Sequence, residues 1–448
     1  MTANETTIPL PAAPDAATSW WMQGNYAPIR DEISVSDLAV DGEIPMALRG
    51  SYVRNGFNPP GAVPFHWFFG AGMVHGFDIA DGRIAYRNRY VRTPYLEHDM
   101  DLMMAMSDLR SSPANTNIIR HAGRMLALEE AHLPWQIDAE LNTVDSFDFA
   151  GKLATPMTAH PKVCPVTGEL LFFGYQFWSA PYLTYHRVSA AGELVQTEVI
   201  EIPRPVMMHD FTITEHHTIF FDLPIVFSLE HGGFKFDRSA GARIGVMPRT
   251  GSNADVKWFE VEPCTVFHAM NAYEIGDTIV LQVCRAASIM EGGMDDLSDQ
   301  STLWQWKINL ATGVVTEQQL DDRAGDFPRI DDRRVGLAAR FGYIATLESG
   351  PTPMFGSEVI QYDLERGTAI AHALGGPGTR AFEPVFAPAS PTSAEDEGWI
   401  LVLSHDDPSD VTTLNILDAA DFAAPPVARV ALPQRVPFGA HGNWMPSA

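Results

Sequence analysis

The sequence predicts an all-β fold, a seven-bladed β-propeller with loops and short helices capping the face that carries its functional site. Three observations lead there. A short aliphatic and aromatic strand recurs seven times, each copy follows a turn signal, and no segment carries a long amphipathic helical stripe.

The copies are 50–55 (GSYVRN), 124–129 (RMLALE), 169–175 (ELLFFGY), 218–223 (TIFFDL), 278–283 (TIVLQV), 342–347 (GYIATL) and 398–404 (GWILVLS). Their starts lie roughly 45 to 75 residues apart, the length that one four-stranded blade with variable loops needs. The intervening segments, such as FNPPGAVPF and FAPASPTSAEDEG, are rich in turn formers and read as surface loops. The best helical candidate, 97–109 (EHDMDLMMAMSDL), is short, so helices are expected to be few and confined to loops. No loop reads as an interdomain linker. Residues 26–448 are therefore expected to form a single propeller domain, preceded by a loose arm over 1–25.

Composition narrows the function. The 448 residues carry 30 Lys and Arg against 56 Asp and Glu, and the resulting charge of −26 repels phosphate backbones and anionic headgroups. Nucleic acid is excluded as a partner. Cys164, Cys264 and Cys284 are too few and too widely spaced for a CxxC metal site or a disulfide framework, and read as reduced thiols of a cytoplasmic protein. The N-terminus lacks the basic and apolar regions of a secretory signal, and no apolar run approaches the ~20 residues that span a bilayer. The expectation is a soluble or peripherally membrane-associated protein, with at most transient membrane contact. The oligomeric state is left open.

Three of the 15 histidines share a context. His160 (HPKVCPVTGELLFF), His209 (HDFTITEHHTIFF) and His268 (HAMNAYEIGDTIVL) each open a stretch that crosses a turn into one of the recurring strands. Equivalent positions of successive blades converge on a propeller's axis, so three imidazoles are expected to meet there. His441, in PFGAHGNW, has no recurring strand after it, but a terminal segment that completes the ring would bring it to the same place. His66 and His75, in PFHWFFGAGMVHGF, fit core packing and the lining of a substrate passage equally. The glycines there are not a dinucleotide fingerprint, because no βαβ context follows. His216 and His217 read as exposed turn residues, and His121, His132, His186, His231, His372 and His405 lack a ligand context.

The pieces GNYAPIRDE, LRGSYVRNGFNP, MVHGFDI, TAHPK, MMHDF, FHAMNAY, DFPRIDDR, FEPVFAP and VPFGAHGNW, in this order, resemble the carotenoid cleavage oxygenase family over nearly the whole chain. The resemblance implies a seven-bladed propeller and a non-haem Fe(2+) held by His160, His209, His268 and His441. It also implies cleavage of a carbon–carbon double bond of an apolar, conjugated small molecule with O2, giving two carbonyl products. Imidazoles alone suit Zn, Cu and Ni as well, so iron rests on the resemblance. The family places a carboxylate behind three of its histidines, which fixes their tautomer. Here the matches are Glu130 for His209, Glu383 for His441 and, in place of the usual Glu, Asp326 for His268. Being one methylene shorter, Asp326 is expected to need a water or a backbone shift to reach its histidine.

Within the family one branch cleaves carotenoids or apocarotenoids and another cleaves hydroxystilbenes or phenylpropenes. The phenolic branch anchors its hydroxyl with a lysine just before the supporting Glu, a threonine about 13 residues earlier and an upstream tyrosine. This chain keeps Thr116, has Glu129 at the lysine position, and has no tyrosine in MMAMSDLRSSP. A carboxylate cannot stabilise a phenolate, so an apocarotenoid substrate is favoured. Phe177, Trp178, Tyr182 and Phe227 lie just beyond recurring strands and are expected to line the substrate tunnel with Thr116 and Glu129, although aromatics also fill cores. The other readings are a stilbene- or phenylpropene-cleaving dioxygenase, a polyene isomerase, and a metal-binding propeller without turnover.

Overall fold

Each recurring segment forms a strand, and each takes the second place from the axis of its own sheet. These strands are Gly50–Phe57, Arg124–Leu128, Leu170–Tyr175, His217–Asp222, Thr278–Ala286, Phe341–Glu348 and Gly398–Asp406. They belong to the seven sheets of a β-propeller in a computed structural model that describes residues 15–447 apart from 101, 229–232, 295 and 351–353. His231 and the first fourteen residues of the expected N-terminal arm lie outside the described residues. A second strand has neighbours within its sheet and a blade packed on either face, so it is written as a near-continuous apolar run. Every residue of Leu170–Tyr175 is buried, for example.

The innermost strands are Asn117–His121, Lys162–Val163, Phe211–Ile213, Thr265–Ile275, Gly325–Ile330, the pair Thr379–Ala381 and Val385–Pro388, and Gly442–Pro446. The last of these pairs antiparallel with Gly50–Phe57, so the final strand of the chain is the innermost strand of the first blade. At the other terminus, Asp41–Gly42 pairs with Ala428–Ala431 and joins the outer edge of the seventh blade. The two ends thus close the ring and protect strand edges. The C-terminal return needs close contact: a Cβ on Gly439 would stand 2.6 Å from the Gly56 Cα.

The described α-helices are single turns, Pro94–Glu97 and Leu102–Ala105, both in the loops over one face. No described helix is long and apolar enough to cross a membrane. The three cysteines are free and buried. His66 and His75 are buried, and the His75 Nδ1 lies 2.8 Å from the Tyr86 hydroxyl, so both are core residues.

Two expectations are corrected. Within the expected loose arm, residues 19–22 and Asn25 are packed: Trp21 is buried, Trp20 packs edge-on to Trp67 at 5.5 Å, and the Asn25 side chain donates to the Val436 carbonyl at 3.0 Å. Two adjacent tryptophans carry enough apolar surface to hold the segment down. His217 is half-buried, with Nδ1 2.9 Å from Oε1 of Glu274 in the next blade. Glu274 also accepts from the Thr214 hydroxyl and the His216 N–H. Burial opposes ionisation of Glu274, but these hydrogen bonds outweigh it and pull its pKa from 4.5 down to about 2. A depressed carboxylate contributes stability that is complete above its unfolded pKa and is lost as pH falls through the folded one. Between pH 4.5 and about 2, the wild type should therefore lose urea stability more steeply than Glu274→Gln; parallel slopes would contradict this.

Candidate metal centre

The four histidines stand at the axial ends of inner strands. His160 and His209 precede Lys162–Val163 and Phe211–Ile213 by two residues, His441 directly precedes Gly442–Pro446, and His268 lies within Thr265–Ile275. That strand shifts register between Val266 and Ala269, a bulge that re-aims the His268 side chain. One ring nitrogen from each histidine falls within 4.8 Å of the other three. The His160 Nε2 lies 3.0 Å from the His209 Nε2, which lies 3.2 Å from the His268 Nε2.

Three of the rings are held from behind. Oε1 of Glu130 touches the His209 Nδ1, and its Oε2 accepts from the Tyr175 hydroxyl at 2.8 Å. Oδ1 of Asp326 is 2.7 Å from the His268 Nδ1, and its Oδ2 accepts from the Ser301 hydroxyl at 2.7 Å. Oε1 of Glu383 is 2.9 Å from the His441 Nδ1, and its Oε2 accepts from the Gly442 N–H at 2.7 Å. His160 has no carboxylate partner among the described residues. Asp326 thus reaches its histidine directly, without a water. The strand bulges beside it, between Asp326 and Arg329, and Phe327 adopts φ 57°. A left-handed non-glycine residue costs roughly 1–2 kcal/mol.

The arrangement tests its own fit to a metal. With Nδ1 donating to a carboxylate, each supported ring directs the lone pair of Nε2 inward, where it meets other lone pairs at about hydrogen-bond distance with no proton between them. A cation among them removes that repulsion. Burial and the neighbouring imidazoles hold His160 well below its ordinary pKa. Burial likewise pushes His441 down to about 4 against the pull of Glu383. Both imidazoles are therefore neutral near pH 7. Burial disfavours the Glu383 carboxylate, yet His441 and Arg329 bring its pKa down to about 2, so it stays ionised. Glu383→Gln keeps the shape and removes the charge; metal affinity, measured against a competing chelator, should fall about 10–100-fold. Unchanged affinity would contradict the role given to Glu383.

A belt of cross-blade contacts beside the four histidines has no counterpart in the sequence reading. The Lys162 Nζ lies 2.7 Å from Oδ1 of Asp210, whose Oδ2 accepts from the Ala269 N–H at 2.9 Å. Asn117 donates to the Ala159 carbonyl at 2.8 Å, and Asn443 donates to the Asn117 Oδ1 at 2.9 Å. Arg329 donates to the Gly442 carbonyl at 2.6 Å. Neighbours of all four histidines are thereby tied across blades. The only sequence signal is adjacency to a histidine, as in MMHDF and AHGNW.

A cavity of about 640 Å³ opens over His209, His268 and His441, with mostly apolar walls. Thr116, Glu129, Phe177, Trp178 and Phe227 all line it. Phe177 and Phe227 pack at 4.4 Å, and Trp178 is 46% exposed. Phe227 sits on the hairpin Ile225–Ser228 and Gly233–Phe236, inserted within the fourth blade. Tyr182 does not line the cavity but packs against a core cluster.

Residues 26–446 match the family model described as retinal pigment epithelial membrane protein. The chain belongs to the carotenoid cleavage oxygenase family. It is 34% identical over 488 residues to carotenoid 9,10(9′,10′)-cleavage dioxygenase 1 of Pisum sativum, covering 95% of this chain and 90% of that protein. Among solved structures, the Pseudomonas brassicacearum lignostilbene dioxygenase superposes with a TM-score of 0.89 at 28% identity, over 98% of this chain and all of the other. Cobalt-substituted Synechocystis apocarotenoid oxygenase gives 0.82 at 28% identity, over 94% and 97% of the two chains. Membership of the family makes the protein an oxidoreductase of the dioxygenase type, acting on a carbon–carbon double bond.

Proposed function

We propose that His160, His209, His268 and His441 hold Fe(2+), and that the protein cleaves a double bond of a carotenoid or apocarotenoid with O2, giving two carbonyl products. The observation that carries this reading is the convergence of inward-facing imidazole nitrogens, backed by Glu130, Asp326 and Glu383, on the floor of an apolar cavity. Iron, when bound, supplies the one-electron chemistry that allows O2 to react with an alkene. The chain's own part is positioning. The three carboxylates fix tautomer and ring orientation, Phe177, Trp178 and Phe227 offer faces for a conjugated chain, and the cavity excludes water around the scissile bond.

The likeness to a lignostilbene dioxygenase and the presence of Thr116 favour a second reading, cleavage of a stilbene or phenylpropene. Against it stands Glu129, a carboxylate where a phenolate needs a cation. The test is anaerobic reconstitution with Fe(2+), exposure to O2 with apocarotenoids and hydroxystilbenes, and product masses. Paired carbonyl fragments from apocarotenoids are expected. Fragments from stilbenes alone would install the second reading, an isomer of unchanged mass would indicate an isomerase, and no reaction despite bound iron would leave a metal-binding propeller.

A further inference from the structure

Arg54, in the strand Gly50–Phe57, is 1% exposed. Its Nε, Nη1 and Nη2 are sealed from solvent, and none has a hydrogen-bond partner among the described residues. The Tyr52 hydroxyl is near enough to interact electrostatically but lacks hydrogen-bond geometry. What the guanidinium meets is a ring, with its Cζ 4.6 Å from the centroid of Phe382. Arg243 and Arg285 also lie over rings, those of Trp258 and Trp304, but each has a carboxylate partner, Asp222 and Glu317. Burying a charge without such a partner is costly, and arginine does not escape the cost by losing its proton. Stability alone gives no reason for an arginine here, since an apolar side chain of similar length would fill the space without that cost.

The surroundings of Arg54 supply a reason. Phe382 directly precedes Glu383, the carboxylate 2.9 Å from the His441 Nδ1. Across the sheet Arg54 is the antiparallel partner of Gly442, whose N–H donates to the other oxygen of Glu383 at 2.7 Å. Gly442 has no side chain to hold this face of the strand away: a Cβ there would stand 2.8 Å from Cε2 of Tyr52. The next residue, Asn55, donates its N–H to the His441 carbonyl at 2.9 Å. Arg54 therefore touches the residue before Glu383 and pairs with the residue after His441. Arg329 reaches Glu383 itself, at 3.5 Å, whereas Arg54 reaches it through a ring.

We propose that Arg54 is a positioning residue of the metal centre: its guanidinium holds the Phe382 ring, and with it the Glu383 carboxylate, in the place from which Glu383 orients His441. This rests on the reading of His441 as a metal ligand. The face of the ring attracts the cation, and the negative charge of Glu383, on the adjoining residue, acts in the same direction. Without that hold Phe382 is free to shift, Glu383 shifts with it, and the His441 ring loses the partner that fixes its direction. The role needs a positive charge over the ring rather than the fork of N–H donors, none of which is used. A lysine can therefore take it over.

The test compares Arg54→Met and Arg54→Lys with the wild type by chelator competition for Fe(2+), by visible absorption of the cobalt-loaded protein, and by urea unfolding of the metal-free protein. Removing an unpaired buried charge leaves stability equal or higher, so Arg54→Met should keep or raise the urea midpoint. Its metal affinity should nevertheless fall about 10-fold, as loss of an outer partner costs, and its cobalt spectrum per bound ion should change. Arg54→Lys should restore both. Wild-type affinity and spectrum in Arg54→Met overturn the proposal, and so does a loss that lysine does not restore. Phe382→Leu, which removes the ring and keeps the guanidinium, should show the same loss and stands as the test if Arg54→Met does not fold; wild-type binding by that variant overturns the proposal equally. A wild type that binds neither ion removes the metal-centre reading itself. The crystal structure of metal-free Arg54→Met then decides the positioning alone, which is overturned if Glu383 still lies 2.9 Å from the His441 Nδ1.

Discussion

His268→Ala should abolish iron binding and cleavage together, lowering metal affinity by more than the roughly 100-fold that loss of an outer partner costs. The substitution removes one of the four converging nitrogens and also leaves Asp326 without the ring it holds at 2.7 Å. The freed carboxylate keeps its hydrogen bond from Ser301, so the defect should be local. Iron content after reconstitution, together with the urea midpoint of the metal-free protein, checks this. A variant that folds and still retains stoichiometric iron would show that His268 is not a ligand.

Asp210→Ala should be the most destabilising change near the axis. It strands the half-buried Lys162 ammonium and orphans the Ala269 N–H, and breaking such a pair from one side costs about 3–5 kcal/mol. Segments adjoining His160, His209 and His268 meet at this one carboxylate, so iron affinity should fall as well, although Asp210 touches none of the converging nitrogens. Urea unfolding at neutral pH gives the first quantity and chelator competition the second. A loss below about 1 kcal/mol, the scale of an exposed pair, would contradict the role assigned to it.

The two predictions separate what the sequence displays from what it hides. Second strands such as 170–175 were legible because burial on both faces writes an unbroken apolar run. Inner strands such as Lys162–Val163 have too few residues to show a period, and the closing strand Gly442–Pro446 reads GNWMP, with no alternation to mark it. His160, His209 and His268 were legible because each opens a stretch that crosses a turn into a recurring strand, while His441, Glu130 and Glu383 were found through family motifs. The direct reach of Asp326 was not legible, since a 2.7 Å contact across two blades leaves no mark along the chain. Nor was the Asp210 belt, because one carboxylate accepting from two other blades leaves no pattern along the chain. The packing of residues 19–22 had a visible signal in Trp20 and Trp21, which the segment before them obscured.

The most direct test of the central claim is single-turnover cleavage of an apocarotenal by iron-loaded protein under ¹⁸O2, with both fragments trapped before they exchange oxygen with water. The account predicts one ¹⁸O in each carbonyl product and no reaction in His268→Ala. Label in only one product, or in neither, would contradict a dioxygenase built on these four histidines.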